Sequence, residues 1–402
     1  MTAVSCPRGD QEIVLDLSRL VSRILHATPT GVDRCEMAYA RGLMAAVPER
    51  LTFAAVHPFG LYGRLDTKAV SRFLDATERR WQDHGFSSNW DRRRFAFGAL
   101  TALRPKTVSI DRSRPRVYVQ ASPNNLTRPD RIRTILRREK AHFVCLVHDL
   151  IPLEYPEYAR PGGAASHAQR INTIATLASG IVANSQATLD ALKPYLDESG
   201  RRPITAVAHL GADPLMVFPP QSEERPYFVC IGTIEPRKNH LLLLHLWRQM
   251  AERHGTRNIP KLLIIGRRGW ENEQVIDMLE RCTALRGCVE EYNTLPDREV
   301  QRLLRYSQGL LLPSFAEGYG MPVSEAIALG VPVVCSDLPA LREAGLNKPR
   351  YIDPLDGPGW LTAIWNLSTL PVADRTPEPN VNSDRSWDRH IELLLNLLDK
   401  MK

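Results

Sequence analysis

Short apolar runs rich in Val, Ile, Leu and Phe alternate along the chain with longer stretches whose apolar positions recur every three or four residues. The short runs fall at 13–17, 53–56, 117–119, 143–147, 180–183 and 204–207, and a second series of strands is predicted near 227–231, 261–265, 289–292, 310–312, 332–335 and 350–352. Continuous apolar runs mark strands buried on both faces and the longer period marks helices, so the pattern predicts βαβ units in parallel sheets. A polar break over 219–226 separates the two series, and 402 residues exceed one ordinary domain. The predicted α/β organisation is two doubly wound, Rossmann-like domains, 1–218 and 219–380, followed by an amphipathic helix within 381–402. The stretch 374–384, rich in Pro and Asn, reads as a connector. Such sheets bind ligands beyond the carboxyl ends of their strands, so two facing sheets predict a site in the cleft.

Candidate chemistry gathers at those strand ends. The run at 310–312 leads into Pro313-Ser-Phe-Ala-Glu-Gly-Tyr-Gly-Met-Pro-Val-Ser-Glu325, where Gly318 and Gly320 form a turn and a helix over 323–329 is stopped by Gly330. Unsatisfied amides at a helix start attract phosphate. Pro322 has no N–H, which leaves Gly320, Met321 and Val323 as the expected donors. Glu325, about one turn inside, can reach a ribose hydroxyl pair, and Glu317 on the loop can reach a sugar. The plainer reading makes Glu325 a partner of the helix dipole and Glu317 a solvated loop residue. Arg237 and Lys238 follow the strand ending at Gly232, where fixed cations would stabilise charge building on a departing phosphate; the alternative is a solvated pair opening a helix. His148 and Asp149 end the run at 143–147 as candidate catalytic groups, against a structural histidine and a turn-forming aspartate.

These segments resemble the retaining nucleotide-sugar glycosyltransferases of glycosyltransferase family 4, which carry a glutamate, seven residues and a second glutamate in this strand–loop–helix setting. Phe228-Val-Cys-Ile-Gly-Thr-Ile-Glu-Pro-Arg-Lys-Asn239 is similar to the family's phosphate-binding segment, and Val331-Pro-Val-Val-Cys-Ser-Asp337 to the strand after the glutamates. Tyr292-Asn-Thr-Leu-Pro-Asp297 is similar to the stretch that meets the nucleotide base. The second half matches well, the first only at scattered points. The resemblance implies the GT-B fold, with the last helix crossing back to the first domain. It implies donor binding by Arg237, Lys238, Glu325, Gly320, Met321, Val323, Gly31, Gly266 and Leu295, with Glu317, His148 and Asp149 catalytic. Thr233 stands where many members place the arginine and Asn293 where a glycine is usual, which leaves the base open. The Thr-Ile-Glu-Pro-Arg-Lys-Asn variant looks most like bacterial mannosyltransferases of polysaccharide assembly, implying mannose from GDP-mannose as first donor and a glycan or lipid-linked acceptor. The implied mechanism is front-face displacement, in which the departing β-phosphate takes the acceptor's proton while Glu317 supports the sugar cation. Double displacement with Glu317 as nucleophile is the alternative. Asp-x-Asp does not occur, so no metal cofactor is expected. The connection over 18–30, with Arg19, Leu20, Val21, Arg23, Ile24 and Leu25, is longer than the family's and reads as an acceptor-binding or membrane-contacting flap.

Charge adds a partner to this picture. The net charge is +7, yet residues 91–140 hold 14 Lys and Arg against 4 Asp and Glu, leaving the rest of the chain at −3. The predicted basic face suits an anionic membrane surface or a pyrophosphate-linked acceptor, presented by a helix over 128–140, with a merely solvated surface as the alternative. No zinc-finger or RNP motif accompanies the charge, so no nucleic acid partner is expected. Seven cysteines without a Cys-x-x-Cys pair suggest neither a disulfide framework nor a zinc site and fit a reducing cytosol. Neither a signal segment nor a membrane-length apolar run is seen, so a cytoplasmic protein is expected, peripheral at the inner face of the plasma membrane if the basic face meets lipid. A dinucleotide oxidoreductase is disfavoured, since no Gly-x-Gly-x-x-Gly follows a strand. The rival functions are another GT-B sugar-nucleotide enzyme such as an epimerase, and a non-catalytic basic scaffold.

Overall fold

The computed structural model describes residues 11–26, 28–83, 88–106, 114–212, 216–219, 225–372 and 385–401. Cys6, most of the break at 219–226 and the connector at 374–384 lie outside the described residues. The chain divides into two units, the first comprising Met1–Leu153, Gly162–Leu210 and Asp384–Lys402, the second Glu154–Pro161 and Gly211–Ser383.

The first unit is built on strands β1 (Glu12–Asp16), β2 (Leu51–Val56), β3 (Tyr62–Leu65), β4 (Arg116–Gln120), β5 (Ala141–Val147), β6 (Gly180–Ala183) and β7 (Ile204–Val207). Their order in the sheet is β3-β2-β1-β4-β5-β6-β7, parallel except for β3, which runs antiparallel to β2 with Phe53 opposite Leu65. Strand β3, Tyr-Gly-Arg-Leu, has no apolar run to announce it. Its Arg64 is instead buried against Glu12 (2.9 Å) and Glu139 (2.7 Å), and a Cβ at Gly63 would come within 2.8 Å of the Lys106 carbonyl. The helix Trp387–Asp399 packs within this unit: a Cβ at Gly42 would lie 2.5 Å from Ile391, and one at Gly180 would lie 2.7 Å from Leu397.

The second unit carries β8 (Tyr227–Ile231), β9 (Lys261–Ile265), β10 (Val289–Tyr292), β11 (Gly309–Leu312), β12 (Val333–Ser336) and β13 (Arg350–Ile352), in the order β10-β9-β8-β11-β12-β13. All of its pairings are parallel among the described residues, and Trp247, Trp360 and Phe228 fill the core beneath the helices. The order reverses between β8 and β11, the position at which an open α/β sheet leaves a crevice. The segment Glu154–Pro161 joins this unit because the Tyr158 ring stacks on Phe315 at 5.8 Å and its carbonyl accepts the Trp270 indole N–H at 3.0 Å.

The connection at 18–30 departs from the expected flap. It opens with the helix Ser18–Ser22, and Leu20, Val21 and Ile24 are buried while Leu25 is exposed. Arg19 and Arg23 both pair with Asp33 (2.6 and 2.9 Å), and Glu36 accepts the Leu20 amide at 2.9 Å. Its apolar residues feed the core rather than a ligand, which is why the stretch could be long without being free.

Candidate functional site

Three of the expected residues meet at the reversal point of the second unit. After β8 the chain passes Gly232 (φ +148°), makes a short 3-10 turn over Pro236–Lys238, and reverses through Asn239 in the left-handed region (φ 53°) before the helix His240–His254. This path turns Arg237 and Lys238 toward the end of β11, where the Phe315 amide donates to the Arg237 carbonyl at 2.7 Å. Glu317 then takes Lys238 Nζ on Oε1 at 2.5 Å, Arg237 Nη1 on Oε2 at 2.9 Å, and the Ser314 hydroxyl on Oε1 at 2.6 Å. Burial alone would raise the pKa of this carboxyl, but the two cations and their hydrogen bonds hold it at about 2. Arg237 also reaches Glu235 through Nη2 at 2.5 Å, and burial pushes the Glu235 carboxyl up despite that partner. Two cations thus face two carboxylates in one buried cluster. Glu235 and Ser314 were not anticipated, although both stand in the quoted motifs, two residues before Arg237 and three before Glu317.

The helix Met321–Ala328 is capped by Gly320, whose φ of +103° favours glycine and where a Cβ would lie 2.4 Å from the Leu341 side chain. Of the expected phosphate donors, Val323 is already committed, its amide donating to the Gly320 carbonyl at 2.9 Å. Gly320 and Met321 precede the helix's own hydrogen bonds, as an anion site requires. Glu325 lies half-buried on this helix and Leu295 half-buried ahead of the helix Asp297–Arg305. Gly266 has a packing reason to be glycine, since a Cβ there would fall 1.8 Å from the Gly232 carbonyl oxygen; its amide donates to Tyr292 O at 2.9 Å.

The remaining candidates belong to the first unit. His148 follows β5, and its Nε2 donates to the Ala121 carbonyl at 2.8 Å, so a neutral ring carries its lone pair on Nδ1. Burial lowers its pKa further than the Ala121 carbonyl and Asp149 raise it. Asp149 Oδ1 accepts the Ile151 amide at 3.2 Å and its carbonyl accepts His167 at 3.1 Å, the pattern of a turn former. Gly31 is the first residue of the helix Gly31–Ala46, which Thr30 and Asp33 close with a capping box. Among the described residues, no group of three His, Cys, Asp or Glu is placed to hold a metal ion.

Residues 215–347, which include the cluster and both glutamates, match the family model of group 1 glycosyl transferases. The serotype-specific mannosyltransferase WbdA of Escherichia coli is 27% identical over 284 residues, covering 65% of this chain and 34% of that protein. The O-antigen chain mannosyltransferase B of Escherichia coli is 36% identical over 130 residues, 32% of this chain and 33% of that one. The chain therefore spans about a third of the length of these curated relatives. Among solved structures, Anabaena Alr3699/HepE in complex with UDP and glucose superimposes with a TM-score of 0.60 at 15% identity, over 96% of this chain and 99% of that one. A trehalose-6-phosphate synthase gives 0.57 at 13% identity over 97% and 96%. The chain has the GT-B fold, and residues 215–347 of its second unit match the model of the group 1 glycosyl transferases.

Proposed function

We propose that this chain is a retaining, metal-independent hexosyltransferase that moves mannose from GDP-mannose to a glycan or lipid-linked acceptor in bacterial polysaccharide assembly. The observation that carries this reading is the cluster of Arg237, Lys238 and Glu317 at the reversal point of the second sheet. A diphosphate entering there would find two cations, and the amides of Gly320 and Met321 stand at a helix start in the same unit. The two cations would supply the charge stabilisation that Mg²⁺ gives elsewhere. Once phosphate takes the cations, Glu317 is released toward the sugar, where its carboxylate supports an oxocarbenium-like centre. In this reading Glu325 holds the ribose, and His148, with a neutral ring, and Asp149 are catalytic groups. The choice of mannose rests on the relatives, which are named as mannosyltransferases.

The test is a thermal-shift panel with GDP, UDP, ADP and their common sugars in EDTA. A ligand at about 100 times its dissociation constant adds roughly 2.7 kcal/mol. A shift with GDP and GDP-mannose in EDTA supports the proposal. A shift with UDP alone moves the donor assignment, and a shift that needs metal removes the metal-independent part. No shift with any nucleotide favours a scaffold.

A further inference from the structure

In the first unit, the helix Asn89–Ala102 and the turn between β2 and β3 hold large apolar side chains out in solvent. Trp90 is 66% exposed and Phe97 76%, while on the turn Phe59 is 82% and Leu61 64% exposed. A helix advances about 100° per residue, so Trp90, Arg94, Phe97 and Thr101 stand within about 60° of one another on one face, and all four are exposed. The inner side is packed, with Ala96 buried and the Phe95 ring 4.9 Å beneath the Arg80 guanidinium. The turn lies beside this helix: the His57 ring donates to Leu100 O at 3.3 Å and sits 5.0 Å from the Phe59 ring. Gly60, at φ +85°, makes the turn tight enough to project its two neighbours.

Basic groups surround these apolar tips. Arg93 and Arg94 are exposed, Arg94 standing 5.6 Å over the Trp90 ring, and Arg104 and Lys106 are exposed beyond the helix end. Arg138 lies over Tyr62, next to Leu61, at 5.6 Å. Two nearby acids are engaged at helix starts: Asp66 caps the helix Thr67–Gln82 by accepting the Ala69 amide at 2.9 Å, and Asp91, in the first turn of its helix, takes the hydroxyl of the N-cap Ser88 at 2.7 Å. The helix Pro129–Glu139, expected to present the basic face, buries Ile132 and Ile135, so it contributes charge but no apolar anchor.

We propose that this face docks the protein on an anionic lipid surface. Trp90 sits at headgroup level, Phe59, Leu61 and Phe97 enter the acyl boundary, and Arg93 and Arg94 pair with headgroup phosphates while their stems cover apolar surface. Lipid fits better than single-stranded nucleic acid, which needs a groove following its backbone, whereas these apolar residues project outward and one is aliphatic. A second copy would bring like charges together.

The test is flotation of the full chain with vesicles of phosphatidylcholine alone or mixed with phosphatidylglycerol. The expected result is binding to the anionic vesicles that weakens with salt, and little binding to the neutral ones. Trp90→Ser with Phe97→Ser should abolish flotation, and Arg93→Gln with Arg94→Gln should weaken it roughly fivefold per arginine. Arg201→Gln with Arg202→Gln, exposed elsewhere in the unit, should leave it unchanged. All of these positions are exposed, so melting temperatures should hold. Failure to float with anionic vesicles overturns the proposal, as does equal loss in the Arg201 and Arg202 variant. Unchanged flotation of the Trp90 and Phe97 variant overturns it too. Binding of labelled single-stranded RNA that falls with the same substitutions, or a dimer that they dissociate, would reassign the face.

Discussion

Glu317 is the residue on which the second unit's chemistry turns, because it satisfies Lys238 and Arg237 together while both are largely withdrawn from water. Removing one partner from such a cluster is costly, since the remaining charges keep their desolvation penalty. Glu317→Gln should therefore destabilise the ligand-free protein by about 3 kcal/mol. The same change leaves the cations in need of an anion, so GDP should raise the melting temperature of the variant more than that of the parent, with binding tightened about tenfold. Transfer should meanwhile fall by about 100-fold or more. A smaller GDP shift in the variant would mean that phosphate does not use these cations.

At the scale of elements, the C-terminal helix Trp387–Asp399 makes demands on residues far away in sequence. Gly42 and Gly180 have no side chain because Ile391 and Leu397 occupy that space. Gly42→Leu should push the helix off its seat and cost about 1–3 kcal/mol, measurable as a lowered denaturation midpoint. A midpoint within error of the parent's would show that the helix is not held by this contact. The same scale explains what could be read from sequence. Continuous apolar runs such as those of Tyr227–Ile231 and Lys261–Ile265 coincide with strands because a strand buried on both faces has no polar alternation to hide it. Strand β3 was illegible because its place is fixed by an ion pair and a close backbone approach, neither of which leaves a periodic trace. The meeting of Arg237, Lys238 and Glu317 was legible as three strand-end residues. Their pairing with one another was not, since it depends on the 3-10 turn and the left-handed Asn239. Leu20, Val21 and Ile24 were misread because an apolar segment between elements looks the same whether it faces a ligand or the core.

Across the whole molecule, acid should be felt in both units through buried neutral histidines. Burial lowers His390 to about 4, and also lowers His240 to about 4, with Lys238 adding to the effect. His390 Nδ1 donates to His209 O at 3.0 Å while Nε2 accepts the Tyr39 hydroxyl at 2.8 Å, an arrangement complete without a second proton. A folded pKa below the unfolded value of about 6.5 means that the unfolded chain binds protons first as pH falls. Stability should thus be intact above about pH 6.5 and decline toward pH 4, by up to about 3 kcal/mol per histidine. His390→Gln should flatten that decline in a denaturation series at stepped pH, and an unaltered slope would count against it.

The return of Trp387–Asp399 to the first unit also orders events during synthesis. Everything from Gly211 to Ser383 must leave the ribosome before the helix that covers Gly42 and Gly180 exists. At about 5–20 residues per second, the first unit waits roughly 10–35 s with that apolar seat bare, while the second unit can close as soon as it is made. The nascent first half is the stretch of this chain most in need of a chaperone.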